Sequence, residues 1–262
     1  MISNNYITEW EEMVAPWRAK TMVEQDLIIS RALVDLYNNP LIKTNLIFRG
    51  GTALNKIYIS PPARYSEDID FVQITIGPIG PIIDAIRACL ASWLGEPIRK
   101  ITTRSAKLIY KYPDLNGTST KLKLEINTTE HFNVLDLQYV PYSLNSSWYS
   151  GDTIISTYTL EELIATKLRA LYQRRKGRDL FDLWLVLDRD LINVEIMINI
   201  FTKYCIHNNE PISKTDFIQN LENKKDHPDF KIDMHSLLKP NILWDFQKAY
   251  NVVQAKIIDK LP

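Results

Sequence analysis

Two short stretches hold the residue types that handle phosphate and a hard cation: Phe48-Arg49-Gly50-Gly51-Thr52-Ala53-Leu54-Asn55-Lys56, then Arg64-Tyr65-Ser66-Glu67-Asp68-Ile69-Asp70. Gly50-Gly51 after an apolar run lets backbone N–H groups turn toward an anion at the start of a helix. Thr52 adds a hydroxyl there, and Lys56, one helical turn on, could reach a phosphate. Asp68 and Asp70 are two apart on an expected strand, so both carboxylates point the same way. Paired carboxylates repel unless a cation lies between them. Hard oxygen ligands with positions left open for phosphate are what Mg²⁺ bound to a nucleoside triphosphate requires. By itself an Asp-x-Asp is more often a solvated strand end, and a Gly-Gly-Thr only a turn. On successive elements they are far more specific. Glu125 is the third carboxylate candidate. Alone it reads as the wet face of a half-exposed strand; with Asp68 and Asp70 on an adjacent strand it becomes the natural third ligand of a two-metal site.

A second cluster runs from Leu160 to Trp184. Six basic residues, Lys167, Arg169, Arg174, Arg175, Lys176 and Arg178, fall within it and would suit a triphosphate or a nucleic-acid backbone. A solvated helix end with cations on its C-terminal dipole is the competing account. Asp179 and Asp182 share a helix face, where either could fix Lys167 or Arg178 by a salt bridge.

These residues need elements to position them. Thr21–Asn39 reads as a helix with a Thr21/Glu24 capping box. Leu46-Ile47-Phe48 reads as a buried strand, Thr52–Tyr58 as the first turns of a helix, Asp68–Thr75 as a strand, and Ile82–Leu94 as a helix closed by Gly95. Arg104–Tyr112 and Thr120–Thr128 read as a hairpin around Pro113-Asp114-Leu115-Asn116-Gly117. In the second strand, Leu122, Leu124 and Ile126 form one face and Lys121, Lys123, Glu125 and Asn127 the other. A Thr159/Glu162 capping box then opens a helical half, with segments near 159–173, 178–188, 192–206, 213–223 and 242–259. Two domains are expected, 1–155 and 156–262.

Composition bounds the rest. The 262 residues are 45% hydrophobic and 24% charged, with 31 basic and 31 acidic side chains. That is globular, and zero net charge argues against coating nucleic acid by global charge. Cys89 and Cys205 form no disulfide framework or metal cluster, and the histidines make no His-Glu-x-x-His motif. No signal peptide or membrane span is expected, so the cytoplasm is the expected location.

At the quoted motifs the sequence resembles the AbiEii/AbiGii toxin family, within the DNA-polymerase-β-like nucleotidyltransferases. The resemblance rests on Gly-Gly-Thr, Arg-aromatic-Ser-x-Asp-x-Asp, the carboxylate of Lys123-Leu124-Glu125-Ile126, the Leu160–Leu171 motif and Arg178-Asp179-x-x-Asp182-Leu183, in that order. It implies an α+β fold, a mixed sheet flanked by helices, followed by a helical C-terminal portion. It implies that Gly51 and Thr52 hold the triphosphate, that Asp68 and Asp70 bind Mg²⁺ with Glu125 completing the metal site, and that Lys167 and Asp179 lie at or beside the nucleotide; Gly50, Lys56, Ser66, Arg178 and Asp182 are further nucleotide-binding candidates, and two ions are expected. The implied reaction is transfer of a nucleoside monophosphate to an acceptor hydroxyl, with RNA (a tRNA 3′ end) as acceptor and a cognate antitoxin as partner, in a toxin–antitoxin or phage-defence system. Lys167 would neutralise the β and γ phosphates, and Arg169 to Arg178 would guide the RNA. A phosphate on Ser66 would set negative charge against the metal ligands. Protein or a small molecule as acceptor, and a degenerate site acting through protein contacts, are the rival expectations.

Overall fold

The computed structural model describes residues 2–262. Its strands are β1 (Leu46–Arg49), β2 (Asp68–Gln73), β3 (Ile98–Ile101), β4 (Ser105–Pro113), β5 (Ser119–Asn127), β6 (Gln138–Asn145) and β7 (Ser150–Thr157). They form one seven-stranded mixed sheet in the order β3-β4-β5-β2-β1-β7-β6. β2 runs antiparallel to β1 and parallel to β5; β1 also pairs in parallel with β7.

The helices are α1 (Asn4–Met13), α2 (Lys20–Tyr37), α3 (Pro40–Asn45), α4 (Gly50–Ala53, continuing as a π turn over Leu54–Tyr58) and α5 (Gly80–Leu94). After the sheet come α6 (Leu160–Gln173), α7 (Gly177–Asp188), α8 (Val194–His207), α9 (Lys214–Lys225), α10 (Pro228–Ile232) and α11 (Phe246–Lys256). Among the described residues no helix is long and apolar enough to cross a membrane.

The chain divides into two compact units. One comprises Met1–Phe132, Leu137–Tyr158 and Leu238–Pro240; the other comprises Asn133–Asp136, Thr159–Leu237 and Asn241–Pro262. In the first, strict alternation sends Ala106, Leu108, Tyr110, Leu122, Leu124 and Ile126 to one sheet face, where all are buried. Phe48, Ile69 and Phe71 join them, and Tyr37 of α2 packs its ring 6.1 Å from Phe71. This is the back face of the sheet, under α2. The front face carries Arg49, Asp68, Asp70, Lys107, Lys123 and Glu125.

Two helix starts differ from expectation. α2 begins at Lys20, and its cap residue Ala19 makes no side-chain bond. The Thr21/Glu24 box does not form because Glu24 accepts the Leu115 N–H at 2.8 Å instead, securing the β4–β5 turn. At α6, Thr159 caps the Glu162 N–H, but the Glu162 carboxylate is drawn into its own unit's core. There it accepts from the Val134 and Leu135 N–H groups and the Tyr204 hydroxyl at 2.7–2.9 Å.

Candidate active site

The strand register assembles the first cluster. In the β2–β5 pair Asp68 stands opposite Lys123 and Asp70 opposite Glu125. On one side β4 sets Lys107 opposite Glu125; on the other β1 sets Arg49 opposite Asp70. All of these point to the front face because each is an even number of residues from its neighbours on the same strand. One row across the sheet therefore reads Lys107, Glu125, Asp70, Arg49.

Cations and carboxylates interlock. Lys123 Nζ lies 2.7 Å from Asp68 Oδ2 and 3.5 Å from Glu125 Oε2, so one ammonium bridges two acids. Lys107 Nζ is 3.0 Å from Glu125 Oε1. Burial pulls the Lys123 pKa down, but its hydrogen bond to Asp68 and the charges of Asp68, Glu125 and Asp70 more than reverse this, so it is raised. Arg49 is treated alike: burial opposes its charge, and Glu130, 2.8 Å away, together with Tyr158 and Asp70, restores it. The acids need positive charge beside them, and protein cations supply it here. Among the described residues no group of three or more His, Cys, Asp or Glu side chains is gathered closely enough to hold a metal ion as it stands. The donors nevertheless suit a hard divalent cation in type and register, at the place where the Lys123 ammonium sits.

The Gly50-Gly51-Thr52 turn lies against these acids. Gly50 has φ +81°, and a Cβ on it would collide with the Asp70 carboxylate; one on Gly51 would collide with the Arg64 guanidinium. Only glycine permits that approach. Thr52 Oγ1 lies 2.8 Å from Ser66 Oγ and bonds the Asp68 carbonyl, which ties the helix start to the beginning of β2.

Lys56 does not join the cluster. Its Nζ lies 2.6 Å from Asp26 Oδ1 and 2.8 Å from Ser30 Oγ, both on α2, the helix that covers the back face. The chain turns into a π helix at Leu54, and Lys56 emerges toward α2, where it makes this pair.

The second cluster lies in the other unit and is a buried ion network. Lys167 Nζ is 3.3 Å from Asp179 Oδ1 and 3.0 Å from Asp182 Oδ2; its side chain is 5% exposed and theirs 0%. Arg174 holds Asp179 through two bonds of 2.7 and 2.9 Å. Burial alone would raise the Asp179 pKa, but Lys167 and Arg174 hold it down at about 2. Lys176 faces Asp233 at 3.9 Å, and Asp233 also accepts the Arg178 N–H. Much of this basic run is therefore internally paired, and the salt bridge between Lys167 and the Asp179/Asp182 face forms.

Sequence reasoning did not single out Arg49, Lys107 or Lys123. The alternation already set Lys123 beside Glu125 on one face; what it lacked was the pairing that brings Lys107 and Asp68 to either side.

The family model that matches the chain is described as nucleotidyl transferase AbiEii toxin, type IV toxin–antitoxin system, and it spans residues 31–252. Among solved structures the fold is similar to MenT4, a nucleotidyltransferase toxin from Mycobacterium tuberculosis H37Rv, at 15% identity, TM-score 0.70, covering 100% of this chain and 91% of that one. It is also similar to JHP933 from Helicobacter pylori, at 17% identity, TM-score 0.57, covering 91% and 90%. A putative nucleotidyltransferase from H. pylori matches at 18% identity, TM-score 0.55, covering 91% and 93%. No curated protein matches by sequence.

Proposed function

The chain belongs to the AbiEii family of nucleotidyltransferase toxins of type IV toxin–antitoxin systems, and we propose that it moves a nucleoside monophosphate from a nucleoside triphosphate to a hydroxyl of RNA, the 3′ end of a tRNA. The observation that carries this reading is the β2–β5 register, with Asp68, Asp70 and Glu125 on one face beside a glycine turn that touches Asp70. Asp68 and Asp70 would hold Mg²⁺, and Glu125 would complete the set, for two ions in all. When bound, Mg²⁺ would neutralise triphosphate charge and make the acceptor hydroxyl more acidic.

The chain's own residues do the remainder. Gly50 and Gly51 bring backbone within reach of the phosphates. Thr52 holds the start of β2, and so the aim of Asp68. Lys107 and Lys123 pair with the carboxylates and hold them oriented until substrate arrives. Lys167, Asp179, Asp182 and Arg178 serve by fixing α6 to α7 and the first turn of α7. The family carries with it a nucleoside triphosphate as donor and a cognate antitoxin as partner; a cytoplasmic setting and a role in phage defence follow from the same reading.

The test is to incubate the full chain with Mg²⁺, each α-labelled triphosphate in turn, and separate RNA, protein and small-molecule fractions. Label on RNA with one triphosphate, absent for Asp68→Ala, is the expected result. Label confined to a protein or small-molecule fraction would refute RNA as the acceptor.

A further inference from the structure

The front face of the sheet does not end at the carboxylates. Strand pairing extends it to the edge through Lys100 opposite Lys107, Ile98 opposite Ile109, and Lys111 opposite Lys121. Five lysines, at 100, 107, 111, 121 and 123, thus share one surface of β3, β4 and β5, in a chain whose net charge is zero. Lys100, Lys111 and Lys121 are exposed and form no ion pair among the described residues. Lys107 and Lys123, nearest the acids, are the two already paired with them. The row Lys100, Lys107, Glu125, Asp70 crosses three strand gaps, about 14 Å at the usual inter-strand spacing.

We infer that this lysine apron is the docking surface for the acceptor's phosphate backbone, which lies across β3–β5 with its terminal hydroxyl delivered to Asp70 and Glu125. The inference rests on the reading of the carboxylates as the transfer site. Charge complementarity selects the occupant. The free lysines are spread in rows that a chain of phosphates can follow, and the apolar side chains among them are Ile98 and Ile109. A protein partner would need an apolar core that this face does not offer. The geometry also meets a physical requirement. A polyanion approaching three carboxylates is repelled unless cations stand between them, and Lys107 and Lys123 occupy that position.

The test is fluorescence anisotropy of a short labelled single-stranded RNA with the full chain, without nucleotide or metal, across a series of salt concentrations. The variant is Lys100→Gln/Lys111→Gln/Lys121→Gln, which leaves the carboxylates and their paired lysines in place. If each lysine neutralises one phosphate, the slope of log K against log salt becomes shallower by about 2, and affinity near 0.1 M salt falls about 100-fold. The corresponding triple Lys→Arg variant should retain binding, which separates charge from misfolding. Arg175→Gln, in the other basic run, should leave the slope unchanged. Asp70→Asn should bind RNA yet fail to transfer label, so failure of the transfer reading and failure of the docking surface give different results. An unchanged slope in the triple Gln variant overturns the proposal, as does absence of RNA binding by the native chain. Binding of poly-glutamate with the same affinity and the same dependence on the three lysines would also overturn it, by assigning the face to an acidic protein.

Discussion

Replacing Lys167 with methionine distinguishes a structural cation from a phosphate-binding one. The lysine is 5% exposed and lies between two carboxylates with no exposure. Removing one partner from a buried ionic network costs about 3–5 kcal/mol, because the charge left behind has lost its compensation. The lower end applies here, since Arg174 continues to hold Asp179 through two bonds. A loss of about 3 kcal/mol lowers the thermal midpoint by roughly 6–12 °C for a chain of this size. The pH dependence follows the same network. The Asp179 pKa is depressed from 3.8 to about 2, so its contribution is present above pH 3.8 and is lost as pH falls through about 2. That depression corresponds to roughly 2–3 kcal/mol. The assay is thermal and urea unfolding followed by circular dichroism from pH 7 down to pH 2, on native protein and Lys167→Met. The native protein should lose stability below pH 4, and the variant should start lower and lose less. A midpoint within 2 °C of native at pH 7, combined with at least a 100-fold loss of transfer, would refute the structural assignment and return Lys167 to the phosphates.

Gly50→Ala places a Cβ against the Asp70 carboxylate at a residue with φ +81°; it should cost about 1–2 kcal/mol in backbone strain and abolish transfer, as read by label incorporation at a temperature where the fold is intact. Ser66→Asp sets a charge beside Thr52 and two residues from Asp68, so it should remove activity while Ser66→Ala retains it; equal activity in both would end the idea of Ser66 as a regulatory position. Lys224 is buried and donates to the Leu171 and Tyr172 carbonyls at the end of α6, and burial, with Arg175 nearby, pulls its pKa down to about 8. The unfolded chain therefore binds more protons than the folded one between about pH 8 and pH 10.5, and unfolding free energy should rise with pH across that window; Lys224→Gln should remove the slope.

The buried elements were legible in the sequence because their periodicity is strong. β1, β2, α5 and the β4–β5 hairpin lie within about two residues of their expected bounds at most ends, and α6 to α9 do so as well. Two of the three strands that were missed lack that signal. β3 is a four-residue edge strand with every residue exposed, and β6 buries little beyond Leu144, so neither shows an apolar face to read. α9 opens on a complete Ser213/Asp216 capping box. At the site, Asp68, Asp70 and Glu125 were legible as residue types at a meaningful spacing. Their lysine partners were not, because which residue of β4 stands opposite Glu125 depends on the hairpin register, and a shift of one position would have sent Lys107 to the other face. The pairing of Lys56 with Asp26 was not legible either, because regular helical spacing does not hold through Leu54–Tyr58, where the chain forms a π turn. The zero net charge hid a local concentration of lysine spread over three strands.

The central claim is that Asp68, Asp70 and Glu125 act as one unit. It is tested most directly by measuring Mg²⁺-dependent label transfer for Asp68→Asn, Asp70→Asn, Glu125→Gln and the triple variant side by side. Residues that serve a single site are non-additive, so each single change should reduce transfer nearly as far as all three together, with the fold retained. Transfer near the native level in Asp70→Asn or Glu125→Gln would contradict the account.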